Sequence, residues 1–587
     1  MTRNLPRHAV AHFAVADFPC LAVAAVALLL LSPLQAKGEG RLALKIGTAR
    51  AVTAEHGMVV AQESAAALIG ADILRKGGNA VDAAVAAGFA LAVTYPRAGN
   101  IGGGGFMVIH RAGGGDTTID YRETAAQAIN RRSFLDAQGN ADPQKSRDSA
   151  LAIGVPGTVA GLALAEEKYG SGRFTLADLI APAIKLARDG IIVADDTADS
   201  LPLDRARLAR WPSSARIFLR PDGRVLGLGD RLVQPDLART LAVIARDGPR
   251  AFYEGTIAQE IAAAVQRAGG VMTADDLRNY RAIERTPVRG TYRGYDIVSM
   301  PPPSAGGVAL VEMLNILEGY DLAHDDEAQR LFLMIEAMKR AYADRAEYLG
   351  DPDAVAVPVA RLTSKSYAAR WRATIDPARA TPAADIRPGG TVAPEGRNTT
   401  HFSVIDRFGN AVANTYTLNF SYGLGLVAAG TGVLLNNEFD DFAVKPGAPN
   451  AYGLLGSAAN APGPGKRPLS SMTPTIVLKH GKPFLITGSP GGRLITNVVL
   501  QIIVDEIDSR MDIAAAVSAP RVYDQWMPDV VLAEPGLPQT VIAALEKRGD
   551  TVVVRHLPTS ANSILVTPAG FLGVADPRTR GALAVGY

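Results

Sequence analysis

The 587-residue chain contains a single cysteine, Cys20, which lies in an apolar stretch near the N-terminus. A mature form without this stretch would contain no disulfide, no thiol nucleophile and no cysteine-ligated metal. The eight histidines show no metal-ligand spacing, and neither H-E-x-x-H nor a strand–G-x-S-x-G–helix motif occurs. These absences argue against a metalloenzyme and against a serine hydrolase of the α/β type, and we expect neither a metal nor a cofactor.

An excess of charge of either sign is also missing. The formal net charge is only +2, with no Lys/Arg tract and no long acidic tail. The sequence therefore gives no reason to expect a nucleic-acid partner. The length of the chain predicts two or more structural units, or two subunits cut from one precursor.

The N-terminus has the pattern of a secretory signal peptide. Arg3 and Arg7 precede an apolar run, Cys20–Leu31, and the small residue Ala36 follows it. The run is shorter than the roughly 20 residues that span a bilayer, so we expect no stable membrane anchor. We predict a signal peptide over residues 1–36 and a periplasmic or secreted protein; the alternative is an uncleaved membrane anchor.

The first half of the chain alternates helices and short strands. Residues 160–350 are predicted to be mostly helical, and Met300–Gly307 is predicted to be a rigid Pro/Gly-rich loop. Leu331–Tyr348 has the pattern of an amphipathic helix, whereas Val81–Val93 is apolar on nearly every face and predicts a buried one. The other predicted elements are a helix at Ala61–Lys76 and a strand at Phe106–His110.

The second half is predicted to be antiparallel sheet with helices. It follows a segment, Ala373–Arg397, that has no apolar period and predicts an exposed, flexible linker. Turn residues separate alternating runs beyond this linker. The predicted elements are strands at Thr400–Asp406, Ala411–Asn419, Gly432–Asn436, Thr475–Leu478 and Phe484–Thr487 and a helix at Asn497–Asp508.

The junction between the linker and the first of these strands is a candidate nucleophile site. A cut between Asn398 and Thr399 would give Thr399 a free α-amino group. Such an amine has a pKa of about 7.7–8.0, so it can act as the base for the hydroxyl of the same residue. A Thr-Thr pair at the start of a strand is otherwise usually structural.

Eight short blocks, in order over more than two thirds of the chain, resemble the γ-glutamyltransferase (γ-glutamyl transpeptidase) family. Each block is weak alone, whereas their common order is specific. They are Gly77–Ala84, Asn100–Phe106, Asp120–Glu123, Pro301–Gly307, Tyr416–Asn419, Leu435–Phe442, Lys466–Ser471 and Gly488–Gly492.

The resemblance implies a fold and an activity. The fold would be α+β, a four-layer αββα sandwich of the N-terminal nucleophile (Ntn) hydrolase type. Cleavage after Asn398 would give a large subunit (37–398) and a small subunit (399–587) that remain packed as a heterodimer. The enzyme would hydrolyse glutathione and γ-glutamyl compounds, or transfer the γ-glutamyl group to an amino acid or dipeptide acceptor.

The resemblance also implies residues for each part of the substrate. Arg122 would bind the α-carboxylate, which a guanidinium can pair with bidentately. The backbone N–H groups of Gly491 and Gly492 would stabilise the oxyanion. The other implied residues are Ser470 and Ser471 for the carboxylate, Asp441, Glu438 and Asn419 for the α-ammonium, Thr417 beside the nucleophile and Tyr452 in a lid loop.

Two alternatives remain open at this stage. The first is a glutaryl (cephalosporin) acylase, which is similar in fold and nucleophile but acts on a group without an α-ammonium; Asp441, Glu438 and Asn419 argue for glutamyl. The second is an exported binding protein that is never cleaved. One departure from some family members is that Arg493 follows Gly492 directly, without an inserted serine.

Overall fold

Two seven-stranded antiparallel sheets form the centre of the molecule. The computed structural model describes residues 47–386 and 399–587. The strand order of the first sheet is Leu583–Gly586, Gly57–Ala61, Thr400–Asp406, Ala411–Thr417, Gly104–His110, Asp116–Tyr121 and Ile283–Arg285. The strand order of the second sheet is Val52–Ala54, Gly570–Ala575, Asn562–Thr567, Lys482–Thr487, Thr475–Lys479, Tyr295–Ser299 and Val288–Tyr292.

The two sheets pack face to face through aliphatic side chains. Because side chains alternate along a strand, Met58 and Val60 point into this interface, whereas Val59 and Ala61 point to the opposite face. The interface also contains Val108, Ile405, Ile476, Ile486 and Ile564. The sheets therefore form a sandwich with a largely aliphatic core.

Helices cover both outer faces of the sandwich. The first sheet shares a core with helices Ser64–Arg75, Ala80–Thr94, Thr158–Tyr169, Leu176–Asp189, Pro235–Asp247 and Gly255–Arg267. The second sheet shares one with helices Gly306–Leu317, Glu327–Tyr348, Ile495–Ile507, Ile513–Ser518 and Gln539–Arg548. The predicted four-layer αββα sandwich is confirmed.

Shorter elements complete the described chain. The remaining α-helices are Pro143–Arg147, Asp195–Ser200, Arg205–Ala209, Pro212–Phe218, Arg250–Tyr253, Ala274–Asn279, Val359–Leu362 and Lys365–Arg372. The small sheets comprise Ile191–Ile192 with Arg231–Leu232, Val427–Ala428 with Val433–Leu434, and Val522–Tyr523 with Val531–Ala533 and Val552–Val554. Within the described ranges, no helix combines the length and the apolar character needed to cross a membrane.

Most of the predicted elements are confirmed with small changes at their ends. The helix predicted at Ala61–Lys76 spans Ser64–Arg75, and the one at Val81–Val93 spans Ala80–Thr94. A capping box of Asn79 and Asp82 fixes the start of the latter, which is buried on all sides. The predicted strand Gly432–Asn436 is reduced to the two residues Val433–Leu434.

Besides two strands of two residues each, the prediction for residues 160–350 missed three strands of the two large sheets, Ile283–Arg285, Val288–Tyr292 and Tyr295–Ser299. The last two form a hairpin whose turn residues, Arg293 and Gly294, both have positive φ angles, of 51° and 82°. Two such residues in succession are typical of a tight hairpin turn. An Arg-Gly pair is a weaker signal than Asn-Gly, and the strands are short.

The amphipathic prediction for Leu331–Tyr348 is wrong. The helix spans Glu327–Tyr348 and is buried continuously from Leu331 to Ala346, although it carries several charges. These charges find partners inside the protein, as in the 2.7 Å ion pair of Arg340 with Glu336. A sequence pattern that assigns charged residues to solvent cannot anticipate such internal pairing.

Residue 398 separates the chain into two parts that share both sheets. The strand Thr400–Asp406 pairs with Gly57–Ala61 on one side and Ala411–Thr417 on the other. Ala411–Thr417 in turn pairs with Gly104–His110. The linker predicted at Ala373–Arg397 is described only as far as residue 386. In this part, the Ala383 carbonyl accepts a 2.9 Å hydrogen bond from the Trp526 indole. The signal-peptide prediction and Asn398 lie outside the described residues.

Candidate active site

Thr399 stands at the end of a central strand. It immediately precedes the strand Thr400–Asp406, and the pairing of Thr400 with Tyr416 places it opposite Thr417 on the neighbouring strand. Thr399 is only 6% exposed. Its Oγ1 donates to Thr417 Oγ1 at 3.5 Å, and Thr417 Oγ1 accepts the Asn419 N–H at 2.8 Å. The nucleophile predicted from the sequence is thus held by both strands.

A small cavity adjoins Thr399. Its volume is about 20 Å³, enough for a water molecule but not for a γ-glutamyl group. Most of the predicted site residues line it, together with Leu454, Met472, Arg493 and Ile495. The predicted residues on its wall are Arg122, Thr399, Thr417, Asn419, Glu438, Asp441, Tyr452, Ser470, Ser471 and Gly492.

Arg122 is fully buried at one side of the cavity, just after the strand Asp116–Tyr121. Its Nε donates to the Pro468 carbonyl at 3.0 Å, which orients the guanidinium. Nη1 pairs with Glu438 and Nη2 with Asp441. The guanidinium predicted to bind the substrate carboxylate is therefore bound here to the two acids predicted to bind the ammonium.

The acids around Arg122 outnumber it. Glu123 approaches the same guanidinium at 3.7 Å, so three carboxyl groups share one cation. Burial raises the pKa of Glu123 to about 7 and the pKa values of Glu438 and Asp441 above their ordinary range, against the lowering effect of Arg122. Both Glu123 oxygens and Glu438 Oε2 lack a hydrogen-bond partner among the described residues. The site is thus built to accept a further cationic group.

The serine pair is fixed by the Pro-rich loop that the sequence predicted to be rigid. Ser470 N–H donates to the Pro303 carbonyl at 2.8 Å, and Ser470 forms a bridge with Ser304. Ser470 Oγ accepts the Met472 N–H at 3.0 Å, which leaves the hydroxyl hydrogen to donate elsewhere. Both Ser470 and Ser471 face the cavity.

Gly491 and Gly492 form the turn that leads into the helix Ile495–Ile507. Their φ angles are 126° and 57°, so a side chain at either position would strain the backbone. A Cβ on Gly492 would also lie 2.8 Å from the Tyr452 ring. Within the described chain, neither N–H has a hydrogen-bond partner. Two free donors near the positive end of a helix suit an oxyanion.

Tyr452, in the predicted lid loop (residues 445–460), lines one side of the cavity. Its ring stacks on Phe420 with centroids 5.6 Å apart, and its hydroxyl donates to the Asn419 side chain. Two side chains bind the backbone of this loop. Arg493 Nη1 donates to the Tyr452 carbonyl at 2.8 Å, and Gln525 Nε2 donates to the Gly453 carbonyl at 2.9 Å. The lid is therefore tied to the residue that follows the two glycines.

The sequence analysis did not identify Glu123, Arg345 or Gln525 as site residues. Glu123 had a signal, since it follows Arg122 directly. Arg345 contacts Ser471 across 126 residues, and Gln525 reaches the lid across 72. No local pattern marks such contacts. Among the described residues, no group of three or more His, Cys, Asp or Glu is arranged to hold a metal ion.

The fold and the site define the class of protein. A four-layer αββα sandwich with a buried threonine at the start of a central strand is the architecture of an Ntn hydrolase. A cephalosporin acylase from Bacillus halodurans has the same fold, with a TM-score of 0.81 and 28% identity over 94% of this chain and 99% of that one.

The chain belongs to the gamma-glutamyltranspeptidase family, whose model matches residues 66–586. It is 50% identical to the glutathione hydrolase proenzyme of Escherichia coli, over 91% of this chain and 93% of that protein. It is 38% identical to the acylase ACY 1 proenzyme of Pseudomonas sp. strain V22, over 89% of this chain and 91% of that protein. The Helicobacter pylori gamma-glutamyltranspeptidase structure matches 55% of this chain and 93% of its own, with 45% identity and a TM-score of 0.54. The family predicted from the sequence is confirmed.

Proposed function

We propose that this chain is an autoprocessed γ-glutamyltransferase and glutathione hydrolase that uses Thr399 as its nucleophile. The observation that carries the proposal is that one cavity joins Thr399 to an arginine, two serines and two buried acids. These groups match the carboxylate and ammonium of a γ-glutamyl donor, since each buried charge needs a partner. The names of two relatives, at 50% and 46% identity, support the same activity.

Maturation would begin with cleavage of the Asn398–Thr399 bond. Thr399 Oγ attacks the Asn398 carbonyl carbon, the peptide C–N bond breaks, and water hydrolyses the ester that results. Thr399 is left with a free α-amine, and the chain becomes a large subunit (37–398) and a small one (399–587). The two would remain one heterodimer, because both parts contribute strands to both sheets.

Catalysis would follow in two steps. The α-amine of Thr399 takes the hydroxyl proton while Oγ attacks the γ-carbonyl carbon, and the N–H groups of Gly491 and Gly492 stabilise the oxyanion. The C–N bond then breaks, and the proton passes to the leaving cysteinylglycine or other amine. Water, or the amine of an amino acid or dipeptide, attacks the γ-glutamyl ester and regenerates Thr399.

Substrate binding would exchange the internal ion pairs of the cavity. The α-carboxylate takes the Arg122 guanidinium and the hydroxyls of Ser470 and Ser471. The α-ammonium takes Asp441 and Glu438, which Arg122 releases. Both charges of the donor are then paired, so the exchange buries no isolated ion.

N-terminal sequencing of the smaller fragment tests the proposal directly. We expect it to begin at Thr399 and expect Thr399→Ala to remain one polypeptide without activity on γ-glutamyl-p-nitroanilide. The matched control is Thr400→Val, because the Thr400 hydroxyl has no hydrogen-bond partner among the described residues. Active protein with residues 398 and 399 still joined would contradict the proposal.

The alternative is a glutaryl acylase, and the Bacillus halodurans and Pseudomonas acylases support it to the extent of fold and ancestry. The acid-rich side of the cavity favours glutamyl, because a glutaryl group has no ammonium to pair with Asp441. Hydrolysis of γ-glutamyl-p-nitroanilide and glutaryl-p-nitroanilide by the same preparation separates the two. Faster cleavage of the glutaryl compound would favour the acylase.

Export is the remaining part of the proposal. The basic start and the short apolar run support removal of residues 1–36 and a periplasmic or secreted enzyme. Fractionation of expressing cells tests this, with the N-terminus of the larger fragment as the second measurement. A larger fragment that keeps Met1, found in the cytoplasm, would contradict export.

A further inference from the structure

Arg345 is a buried arginine beside the cavity that forms no ion pair with any of the described residues. It lies near the end of the helix Glu327–Tyr348 and is 6% exposed. In the described chain no carboxylate oxygen comes within 4.0 Å of its guanidinium, and its Nε has no hydrogen-bond partner. Arg340, on the same helix, is equally buried but is paired with Glu336.

An unpaired buried guanidinium is costly, so its surroundings indicate what it is kept for. Nη2 approaches Ser471 Oγ at 3.5 Å, the outer limit of a hydrogen bond. Ser471 lies on the cavity wall, between Arg345 and the space that a donor would enter. Tyr342, Asp441 and Tyr523 are the other groups whose charge acts on it, and burial lowers the pKa of Arg345 against their effect.

We propose that Arg345 is a positioning residue for the α-carboxylate of the γ-glutamyl donor and that it acts through Ser471. This rests on the proposed function and names a second cation for the same subsite. A guanidinium N–H directed at Ser471 Oγ occupies a lone pair of that oxygen, so the hydroxyl hydrogen points away from Arg345, into the cavity. A carboxylate there accepts that hydrogen and lies in the field of two guanidinium groups, those of Arg122 and Arg345.

Charge balance supports this assignment. Glu123, Glu438 and Asp441 all pair with Arg122, so the cavity carries an excess of acid on one side, and the charge of Arg345 also opposes the rise in the pKa of Asp441. When a donor carboxylate displaces the acids from Arg122, one guanidinium would face four carboxylates and one ammonium. Arg345 adds the second fixed positive charge on the serine side, where the carboxylate binds.

Three competitive inhibitors separate the carboxylate from the ammonium. Glutamate carries both groups, glutarate lacks the ammonium, and 4-aminobutyrate lacks the α-carboxylate. For Arg345→Gln we expect the Ki of glutamate and of glutarate to rise about tenfold, as for a lost hydrogen bond to a charged group, and the Ki of 4-aminobutyrate to stay unchanged. The KM for γ-glutamyl-p-nitroanilide should rise similarly, with little change in kcat.

Two further variants serve as a conservative replacement and as a control. Arg345→Lys keeps the charge but not the planar guanidinium, so its Ki values for glutamate and glutarate should rise less than those of Arg345→Gln. If Arg345→Gln fails to mature, the Ki values of the three inhibitors for Arg345→Lys test the proposal instead. Arg340→Lys is the matched control on the same helix and should leave all three Ki values unchanged.

Two results would overturn the proposal. Equal losses for the three inhibitors would make Arg345 a structural residue, and a loss for 4-aminobutyrate but not glutarate would place its action on Asp441 instead. Absence of γ-glutamyl hydrolysis in the unmodified protein would instead refute the proposed function, so the two failures are distinguishable.

Discussion

Two buried charge clusters in this molecule have opposite designs. The first surrounds Arg122, where three carboxyl groups share one guanidinium and several oxygens have no hydrogen-bond partner among the described residues. The second lies away from the cavity and contains Arg521, Arg578, Asp576 and Glu534, two cations and two anions. Both clusters are largely buried, with Asp441 at 14% exposure, so the main difference lies in their internal balance.

The balanced cluster has a partner for each carboxylate oxygen. Asp576 Oδ2 accepts from Arg521 at 2.6 Å and from the Ala561 N–H at 2.8 Å, while Oδ1 accepts the Arg578 N–H at 2.9 Å. Glu534 accepts from the Arg578 side chain through both oxygens. Burial alone would raise the pKa of Asp576, but Arg521 and Arg578 outweigh it and hold that pKa below its ordinary value.

The Arg122 cluster titrates in the opposite direction. Glu438 and Asp441 carry the same kinds of carboxyl group as Glu534 and Asp576. Burial nevertheless raises the pKa values of Glu438 and Asp441, because the single arginine that they share with Glu123 cannot compensate three acids. A balanced cluster stabilises the fold, whereas an unbalanced one retains free energy that a ligand can recover. The following variants test this distinction.

Asp576→Asn should cause the largest loss of stability. An amide cannot accept on its nitrogen, so the charges of Arg521 and Arg578 would lose a partner, which costs about 3–5 kcal/mol for a buried pair. We expect a lower urea midpoint but normal kcat per folded molecule at low temperature. A loss of less than about 1 kcal/mol would contradict the structural role assigned to this cluster.

Asp441→Asn should reverse the pattern and reduce activity rather than stability. Loss of the ammonium partner should lower kcat/KM for γ-glutamyl-p-nitroanilide about 100-fold or more. The free energy of unfolding should stay the same or increase, because the excess of acid is reduced. Asp440→Asn is the matched control, since Asp440 binds Ser146 and the Ala451 N–H instead; it should change kcat/KM only a few-fold.

Glu123→Gln should change how the stability of the protein depends on pH. Because burial raises the pKa of Glu123 from 4.5 to about 7, its protonated form is favoured in the folded state. Its contribution to stability is complete below its ordinary pKa and is lost as pH rises through about 7. The amide stays neutral, so at pH 8 the variant should be more stable than the unmodified protein by on the order of 1 kcal/mol, with the difference vanishing near pH 4.

The sign of this effect distinguishes the two clusters. Because the pKa of Asp576 is lowered in the folded protein, the ionised carboxylate stabilises the fold above its ordinary pKa of 3.8. This stabilisation is lost as pH falls through the pKa of the folded state. Over the same pH series, the melting temperatures of the two variants should therefore depart from that of the unmodified protein with opposite signs. At pH 8 Glu123→Gln should melt higher and Asp576→Asn lower, and both differences should shrink as pH falls. Departures of the same sign would contradict the comparison.

Gln525→Leu should have the smallest effect, because it removes a side chain that carries no charge. The lid would lose the hydrogen bond from Gln525 to the Gly453 carbonyl and a partner of Arg493. We expect stability to change by about 1 kcal/mol and the KM of the donor to rise a few-fold. The fraction of ester captured by water rather than by an added dipeptide should rise, measured as glutamate released per p-nitroaniline; an unchanged fraction would show that this contact does not restrain the lid.

Much of the site could be predicted from the sequence because its residues occur in short ordered blocks. The blocks around Arg122, Asp441 and Ser470 identified the family, and the cavity brings them together. The alternation at Thr400–Asp406 and the glycine that follows it predicted the central hairpin correctly. These signals are local, so a single sequence carries them.

What could not be predicted depends on packing between distant segments. The charges of Glu327–Tyr348 predicted a solvent-facing side, but their partners come from segments such as Thr381 and Asp550. The attachment of Arg122 to Glu438 and Asp441 was also not predicted, because motifs identify residues that bind a substrate and not their partners without one. The hairpin Val288–Ser299 was missed because its strands are short and its turn signal is weak.

The sharing of both sheets by residues on either side of position 398 has a consequence for the life of the molecule. While the chain is continuous, the strands Gly57–Ala61 and Thr400–Asp406 meet by an intramolecular search. After the proposed cut they belong to separate polypeptides, and a denatured heterodimer must find its partner by collision while its bare strand edges are open to aggregation. The native arrangement is thus reached once, from the precursor, and afterwards its persistence depends on how slowly it opens.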